Sequence, residues 1–529
     1  MRIRLASCLA LGLFLGSFVA LAPASAQKVL KVVPQAEAKV FDPHQPAANA
    51  TSIHVGMIYD SLFTWDANLV SRPQMVGDYQ VSADKLTYTF KLRPGLKFHD
   101  GQAVTTRDVV ASMKRQFKRD TQIQKLTNVV ASIDAIDAID GESFTLKLKE
   151  PFGFVEYLIS GARNIDGGIL REKEALIDPF TVISETIGSG PFKFVKGEYV
   201  PGAKTVYEKN RDYVPRTEPP SGMSGGKVAK LDRIEFIVIP DAATAFAALR
   251  SGEVDFLDAP SLDLVATVEK DPNIVIGEVW PIDTYGALRP NSLHPPFNNL
   301  KARMALAYMV NQADYMTAAY GDKKWWIECF AFWVCGTPNG TEAGSDGFRK
   351  PDLEKARQLV KESGYDGRKI VIIGGSDIPA YNAMSLLTAE KLKSIGFNVD
   401  LQLSDWGSVT VRRSKKDAPE AGGWNIFHTT ANGSHLASPI TSPSTIMTCD
   451  GRNFVGWPCD EVVEKMRDDY MKETDPAKQK LLVEAMHKRL WEVIPYVPLG
   501  QFKQPFLWRK NVTGVLKTGI LVFWNIDKT

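Results

Sequence analysis

The sequence predicts an α/β protein of two lobes, on three observations. Strand–helix–strand patterns occur twice, over residues 234–257 and 369–403, far apart in the chain. With 529 residues, 44% of them hydrophobic, and 11 Trp and 26 Phe, the chain exceeds what one compact core holds. A secretory leader precedes all of it, which places the fold outside the cytoplasm.

The leader is read first. Arg2 and Arg4 form a basic start, Leu9 to Ala22 (LALGLFLGSFVALA) an apolar run, and Ala24-Ser25-Ala26 a small-residue cleavage site. The run is shorter than the ~18 apolar residues of a spanning helix. Leu5-Ala6-Ser7-Cys8 has the look of a lipidation box but precedes the apolar run, so lipidation is not expected. The mature chain is expected to start near Gln27. The whole chain carries 63 Lys+Arg and 61 Asp+Glu, and the leader holds two Arg and no acid, which leaves 61 of each sign. A neutral chain gives no electrostatic footprint for nucleic acid or an anionic membrane.

Four cysteines remain after the leader: Cys329, Cys335, Cys449 and Cys459. An even number in an exported chain suggests two disulfides. Local pairing, Cys329–Cys335 and Cys449–Cys459, closes the shortest loops; a cross-link between the two segments stays open. The Cys-x5-Cys and Cys-x9-Cys spacings suit zinc poorly.

Val29 to Val33 (VLKVV) reads as a buried strand, followed by an irregular stretch from Gln35 to His44. Leu86 to Arg93 alternates, with Tyr88, Phe90 and Leu92 on one face, after a turn at Asp84-Lys85. Thr105 or Thr106 caps a helix whose apolar positions include Val109, Val110, Met113 and Phe117. Ile187 to Phe194 enters another strand, and Pro215 to Lys227, rich in Pro, Gly and Ser, reads as a surface loop. The first α/β unit is strand Ile234–Ile239, helix Asp241–Arg250 ended at Ser251-Gly252, and a strand from Val254 to Leu257. The second is strand Lys369–Ile373, helix Pro379–Ile395 stopped by Gly396, and strand Asn398–Leu403.

Catalytic signatures are missing: no His-Glu-x-x-His, no Walker A, no Gly-x-Gly-x-x-Gly opening a helix after a strand. Gly188-Ser189-Gly190 is not a nucleophile elbow, which requires Gly-x-Ser-x-Gly. His428 and His435 form a weak candidate metal pair, with hydrogen-bonding or surface roles favoured.

Five stretches carry a resemblance. They are Leu92 to Val110 (LRPGLKFHDGQAVTTRDVV); Ile187 to Phe194 with Glu208 to Tyr213 (EKNRDY); Ala247 to Asp255 (AALRSGEVD); Asn291 to Val310 (NSLHPPFNNLKARMALAYMV), continued by Asn311-Gln312-Ala313-Asp314; and Glu492 to Pro498 (EVIPYVP). In this order, after a leader, they resemble the peptide/nickel class (family 5) of extracellular solute-binding proteins, which includes dipeptide and oligopeptide receptors. The resemblance implies a two-lobed periplasmic-binding-protein fold, class II-like and of cluster C, with an inserted α+β subdomain. Lobe I would comprise residues 27–64, 187–281 and 496–529, the subdomain 65–186, and lobe II 283–495.

It also implies the substrate-binding component of an ABC import system. Such a chain, monomeric and without cofactor or catalysis, captures a peptide-like or other small organic solute in the periplasm by lobe closure and delivers it to a membrane permease. A metal chelate of the nickel type is the alternative ligand, and a periplasmic hydrolase the alternative class, which no motif supports. Carried over onto this chain, ligand contacts fall on Gln35 to Ala38, with Gln35 and Ala36 foremost, on Tyr285, on Trp406, and on late loops at Trp424 to Thr430, including Phe427, Thr429 and Thr430. Trp406 and Trp424 are either ligand walls or core residues. Peptide-binding relatives pair an acid of this late region with the ligand's α-amino group, yet no Asp or Glu occurs from Ala421 to Cys449. A standard peptide held by its amino terminus is therefore disfavoured. Arg412-Arg413 with Lys415-Lys416 reads as a solvated basic turn before an anion contact.

Overall fold

The computed structural model describes residues 27–44, 49–122, 130–160, 167–258, 260–280, 282–440, 442, 445–451 and 453–529, without the side chains of residues 49, 119–122, 434 and 435. The expected leader, residues 1–26, and the His435 side chain lie outside the described residues. Strand Val29–Val33 is apolar because it is central: Leu30 and Val32 are fully buried. It lies within a seven-stranded sheet ordered Ile274–Glu278, Pro505–Arg509, Phe256–Leu257, Val29–Val33, Arg233–Ile237, Lys204–Lys209 and Phe192–Phe194. Val29–Val33 runs parallel to both Arg233–Ile237 and Phe256–Leu257. Helix Ala242–Ser251 links those two strands; Asp241 is its N-cap, accepting from the Thr244 amide, and Gly252 ends it in the left-handed conformation.

The second sheet has six strands: Trp326–Ile327, Val497–Phe502, Thr284–Pro290, Ile426–Ala431, Lys369–Gly375 and Asn398–Ser404. The last three run parallel, and helix Pro379–Ser394 supplies the crossover. A four-stranded antiparallel sheet, Val76–Val81, Thr87–Leu92, Ser143–Leu148 and Ile133–Ala138, stands apart in sequence between strands of the first sheet. Tyr88, Phe90 and Leu92 share its buried face. Helix Thr106–Gln122 packs on it through Val109, Met113 and Phe117, and Thr105 caps that helix by donating to Asp108 Oδ2.

Both disulfides form locally, Cys329–Cys335 at 2.11 Å and Cys449–Cys459 at 2.00 Å. Gln501 and Gln312 tie the first one's loop to the second sheet, with Gln501 Oε1 accepting from the Cys335 amide at 2.7 Å and Gln312 Oε1 from the Cys329 amide at 2.7 Å.

The stretch Pro215–Lys227 is a surface loop only in its first half. Residues 222–227 are buried, because Lys227 carries its ammonium to the fully buried Asp60 at 2.7 Å, where Tyr213 also donates at 2.9 Å. Gly222, at φ +57°, passes against the Asp66–Ala67 backbone, where a Cβ would stand 2.6 Å from Asp66 C. A charged residue paired inside the protein, not the loop-like composition, decides the burial.

Candidate functional site

Strand directions decide where the two sheets meet. Pairing through Pro505–Arg509 makes Ile274–Glu278 parallel to Val29–Val33, so Glu278, Val33 and Leu257 all end at the same edge. In the second sheet, Tyr285 pairs with Ala431 and Thr284 with Phe502, so the chain enters and leaves at the carboxyl edge of the parallel strands. Both crossings, Glu278 to Thr284 and Phe502 to Pro505, thus join carboxyl edge to carboxyl edge. Carboxyl edges of parallel strands are where open α/β sheets bind ligands. The edges are in contact: Asn432 Nδ2 donates to Gly519 O at 3.2 Å, and Trp325 packs on the cluster holding Val33 and Leu257. At the crossings Lys503 pairs with Glu278 at 2.7 Å and Lys517 with the same carboxylate at 3.2 Å.

On the first edge stand Gln35 and Ala36, both exposed, beside Asp258, which is 6% exposed. Asp258 Oδ2 accepts from the Gln35 amide at 3.3 Å, while Oδ1 has no partner among the described residues. Burial pushes the Asp258 carboxyl up to about 6, against the lowering effect of that amide.

On the second edge, Trp406 opens helix Trp406–Arg413 directly after strand Asn398–Ser404. Its ring lies 4.5 Å from Tyr381, whose hydroxyl is 2.8 Å from Thr430 Oγ1. Trp406 and Thr430 are therefore brought together, and Tyr381, which sequence reasoning missed, joins them.

The expected late loop is instead strand Ile426–Ala431, in the interior of the sheet. β-branched and aromatic residues outweigh the preceding Gly422-Gly423. Its residues alternate between two faces. One face carries His428, whose Nε2 lies 2.7 Å from Thr388 Oγ1 and whose Nδ1 lies 3.1 Å from Ser385 Oγ. Burial pushes His428 down to about 3, so the ring is neutral with both nitrogens engaged by hydroxyls. That removes the ligand expected in the His428–His435 metal pair. The group Cys329, Cys335 and Glu342 is no metal centre either, since its sulfurs are joined.

The other face carries Phe427 opposite Arg289, Thr429 opposite Ala287 and Ala431 opposite Tyr285. Small side chains there leave room: Thr429 is only half-buried although strands flank it on both sides. Arg289 is 2% exposed, its guanidinium 4.6 Å from the Phe454 ring and 4.9 Å from Tyr496. Arg413, two turns below Trp406 on one helix face, reaches back to 5.2 Å from Trp406, 5.4 Å from Phe427 and 5.9 Å from Phe454. It is half-buried against these rings, so it is no solvated turn. Arg412 is likewise held, donating to Gly423 O at 2.8 Å and Gln402 Oε1 at 2.6 Å. Burial lowers Arg289 to about 10, and it lowers Arg413 too; the groups bearing on them are Tyr496, Arg413 and Tyr285 for the former and Tyr381 for the latter.

Trp424 is fully buried, its Nε1 donating to Arg413 O at 3.0 Å and its ring packed on Phe427 and Trp457. In this structure it packs as a core residue. Phe427 is also fully buried, with the Arg413 guanidinium 5.4 Å from its ring. Tyr285 lies inside, 1% exposed, donating to Ala331 O at 3.0 Å. A crossing needs a fixed strand start, and Tyr285 supplies that anchor.

Residues 71–453 match the family described as bacterial extracellular solute-binding proteins, family 5 Middle. The chain is 38% identical over 494 residues to the "Probable peptide ABC transporter periplasmic-binding protein y4tO" of Sinorhizobium fredii, covering 92% of this chain and 91% of that one. Among solved structures, AgaA of A. tumefaciens R10 in complex with agropinic acid superposes with a TM-score of 0.78 at 22% identity, covering 95% and 99% of the two chains. Helicobacter pylori DppA in complex with the peptide STSA gives 0.77 at 22% identity, covering 95% and 98%.

Proposed function

The chain belongs to the bacterial extracellular solute-binding proteins of family 5, and on that premise we propose that it captures a small organic solute, peptide-like in class, and delivers it to the permease of an ABC importer. Capture takes place in the periplasm, after removal of residues 1–26, and the receptor acts as a monomer. Lobe I is formed by residues 27–64, 187–281 and 496–529, the subdomain by 65–186 and lobe II by 283–495.

The observation that carries the reading is the meeting of two carboxyl edges across two short crossings. Such a connection lets the lobes rotate about the crossings, and a ligand touching both edges favours the closed state by the contacts it adds there. Gln35 and Ala36 supply one wall; Trp406, Thr429 and Thr430 supply the other; Phe427, Tyr285 and Trp424 hold that wall from behind. Closure is also read by the subdomain: the Gly153 amide donates to Met471 O at 3.0 Å, Phe154 lies 5.0 Å from Tyr470, and Lys472 pairs with Glu150 at 2.8 Å. Opening breaks these contacts, so their energy counts against the open form.

Thermal unfolding of the mature protein across peptides, opines, sugars and metal chelates tests the reading. At least one solute is expected to raise the midpoint, with a stabilisation that grows with the logarithm of its concentration and reaches about 2.7 kcal/mol at one hundred times its Kd. No stabilisation by any class, together with turnover of a panel member, would replace a receptor with a hydrolase.

A further inference from the structure

A cavity of about 570 Å³ lies where strand Val76–Val81 and helix Val155–Ile159 face helices Glu461–Lys472 and Pro476–Val493. None of its lining residues belongs to the seven-stranded or the six-stranded sheet, so it stands apart from the two carboxyl edges. We propose that this cavity is a second ligand site, which takes a small organic cation of the alkylammonium class and meets its charge with Glu156.

The walls supply the first half of that chemistry. Among the described residues five aromatic side chains line the cavity: Trp65 and Tyr157, stacked at 5.1 Å, Phe154 and Tyr470, 5.0 Å apart, and Tyr79. Aromatic faces attract a cation through their quadrupole, and a substituted ammonium adds apolar surface that the same rings bury.

Glu156 supplies the other half. It is half-buried on helix Val155–Ile159, and the Ser71 hydroxyl ties that helix down by donating to Glu156 O at 3.0 Å. Its Oε1 accepts from the Tyr79 hydroxyl at 3.0 Å. Burial first, and then the Glu156 charge, push the Tyr79 hydroxyl up to about 12, so the phenol stays the donor and the carboxylate the acceptor. Among the described residues Glu156 forms no ion pair. A carboxylate set between rings attracts an arriving ammonium more strongly than one in open water, because the surroundings screen it less.

The remaining polar groups are engaged. The Tyr470 hydroxyl donates to Asn339 Oδ1 at 3.3 Å, and Gln479 Nε2 donates to Glu473 O at 2.7 Å. A single acid suits a monovalent charge and falls far short of the oxygen cage that a calcium ion takes. Lys480 is the only base in the lining among the described residues; it is exposed, so solvent and salt screen its repulsion.

The cavity also spans a seam. Trp65, Tyr79 and Glu156 come from one side and Tyr470 from the other, and the Gly153–Met471 and Glu150–Lys472 contacts join the same two bodies. A cation held there favours the closed arrangement and raises affinity for the transported solute, and the solute raises affinity for the cation by the same factor. This coupling rests on the receptor reading above; the cation site stands without it.

Isothermal titration of the mature protein with choline and with its neutral carbon isostere, 3,3-dimethyl-1-butanol, tests the site. Choline is expected to bind roughly tenfold or more tightly than the alcohol. E156Q keeps the acceptor for Tyr79 and is expected to remove the difference, while K480A should bind choline at least as tightly as wild type. Equal binding of the two probes, no binding of choline, or unchanged choline affinity in E156Q would each overturn the assignment. Wild-type crystals soaked in tetramethylarsonium, which need no variant, are expected to show anomalous density between Glu156 and the rings; density only elsewhere overturns it as well. With a solute that stabilises the protein, saturating choline should tighten solute binding in wild type and not in E156Q, and an unchanged solute affinity overturns the coupling. A failure of the receptor reading looks different: choline binds and E156Q removes its preference, but no solute stabilises the protein.

Discussion

On one face of strand Ile426–Ala431 the polar groups form a hydroxyl network, and on the opposite face arginines lie against aromatic rings. His428 sits between the Thr388 and Ser385 hydroxyls, and Thr388 passes the network on to the Tyr315 hydroxyl at 2.8 Å. Across the strand, the Arg289 and Arg413 guanidinium groups lie 4.6 and 5.9 Å from the Phe454 ring. Neighbouring residues of one strand thus serve opposite purposes. The paired face specifies the fold, and on the proposed reading the other face backs the wall that Thr429 and Thr430 present to a solute. Stability and affinity should therefore separate cleanly when the two faces are altered.

The largest effect is expected from Trp424, which backs the arginine face yet belongs to the core. W424A should cost about 3–5 kcal/mol in denaturant unfolding, while the folded protein keeps its solute affinity. A loss of affinity without loss of stability would move Trp424 back to the ligand wall.

His428 comes next. H428L should cost roughly 2–3 kcal/mol because Thr388 and Ser385 lose their partner. Its pH signature is sharper. His428 falls from the ordinary 6.5 to about 3 on folding, so the unfolded state takes up the proton first. The stability it contributes is full above pH 6.5 and is lost as pH falls toward 3, by up to about 1.4 kcal/mol per pH unit. H428L should flatten the measured slope by that amount; an unchanged slope would assign the acid sensitivity to the other buried histidines, His54, His99 and His487, which burial also lowers.

A smaller effect is expected at Tyr381, at the rim shared by both faces. Y381F removes the hydroxyl that meets Thr430 and should cost about 1 kcal/mol. The smallest is at Arg413: R413Q should leave stability within ~1 kcal/mol of wild type, since removing a buried like charge offsets lost packing. A large destabilisation by R413Q would make the arginine a structural group and erase the contrast between the faces.

Local pattern made much of the fold legible. Alternation at Tyr88, Phe90 and Leu92, the cap at Thr105 and the stop at Gly252 depend on neighbours within a few residues, and they appear where expected. The short disulfide loops follow the same logic. The site was less legible because it depends on register between distant segments. Whether Trp406 or Trp424 reaches the cleft follows from which end of a parallel strand each residue flanks. Arg289 acquires its meaning only when Thr284–Pro290 pairs with Ile426–Ala431 and sets it opposite Phe427. Asp258 and Tyr381 were missed for the same reason, although an acid immediately after strand Phe256–Leu257 was a usable signal. The loop-like composition of Pro215–Lys227 concealed a buried ion pair whose partner, Asp60, lies far upstream.

Native mass spectrometry of the mature protein as purified tests the central claim most directly. The account expects the protein to carry one small organic solute that is released on denaturation. A protein that stays bare in the presence of every solute class would contradict it.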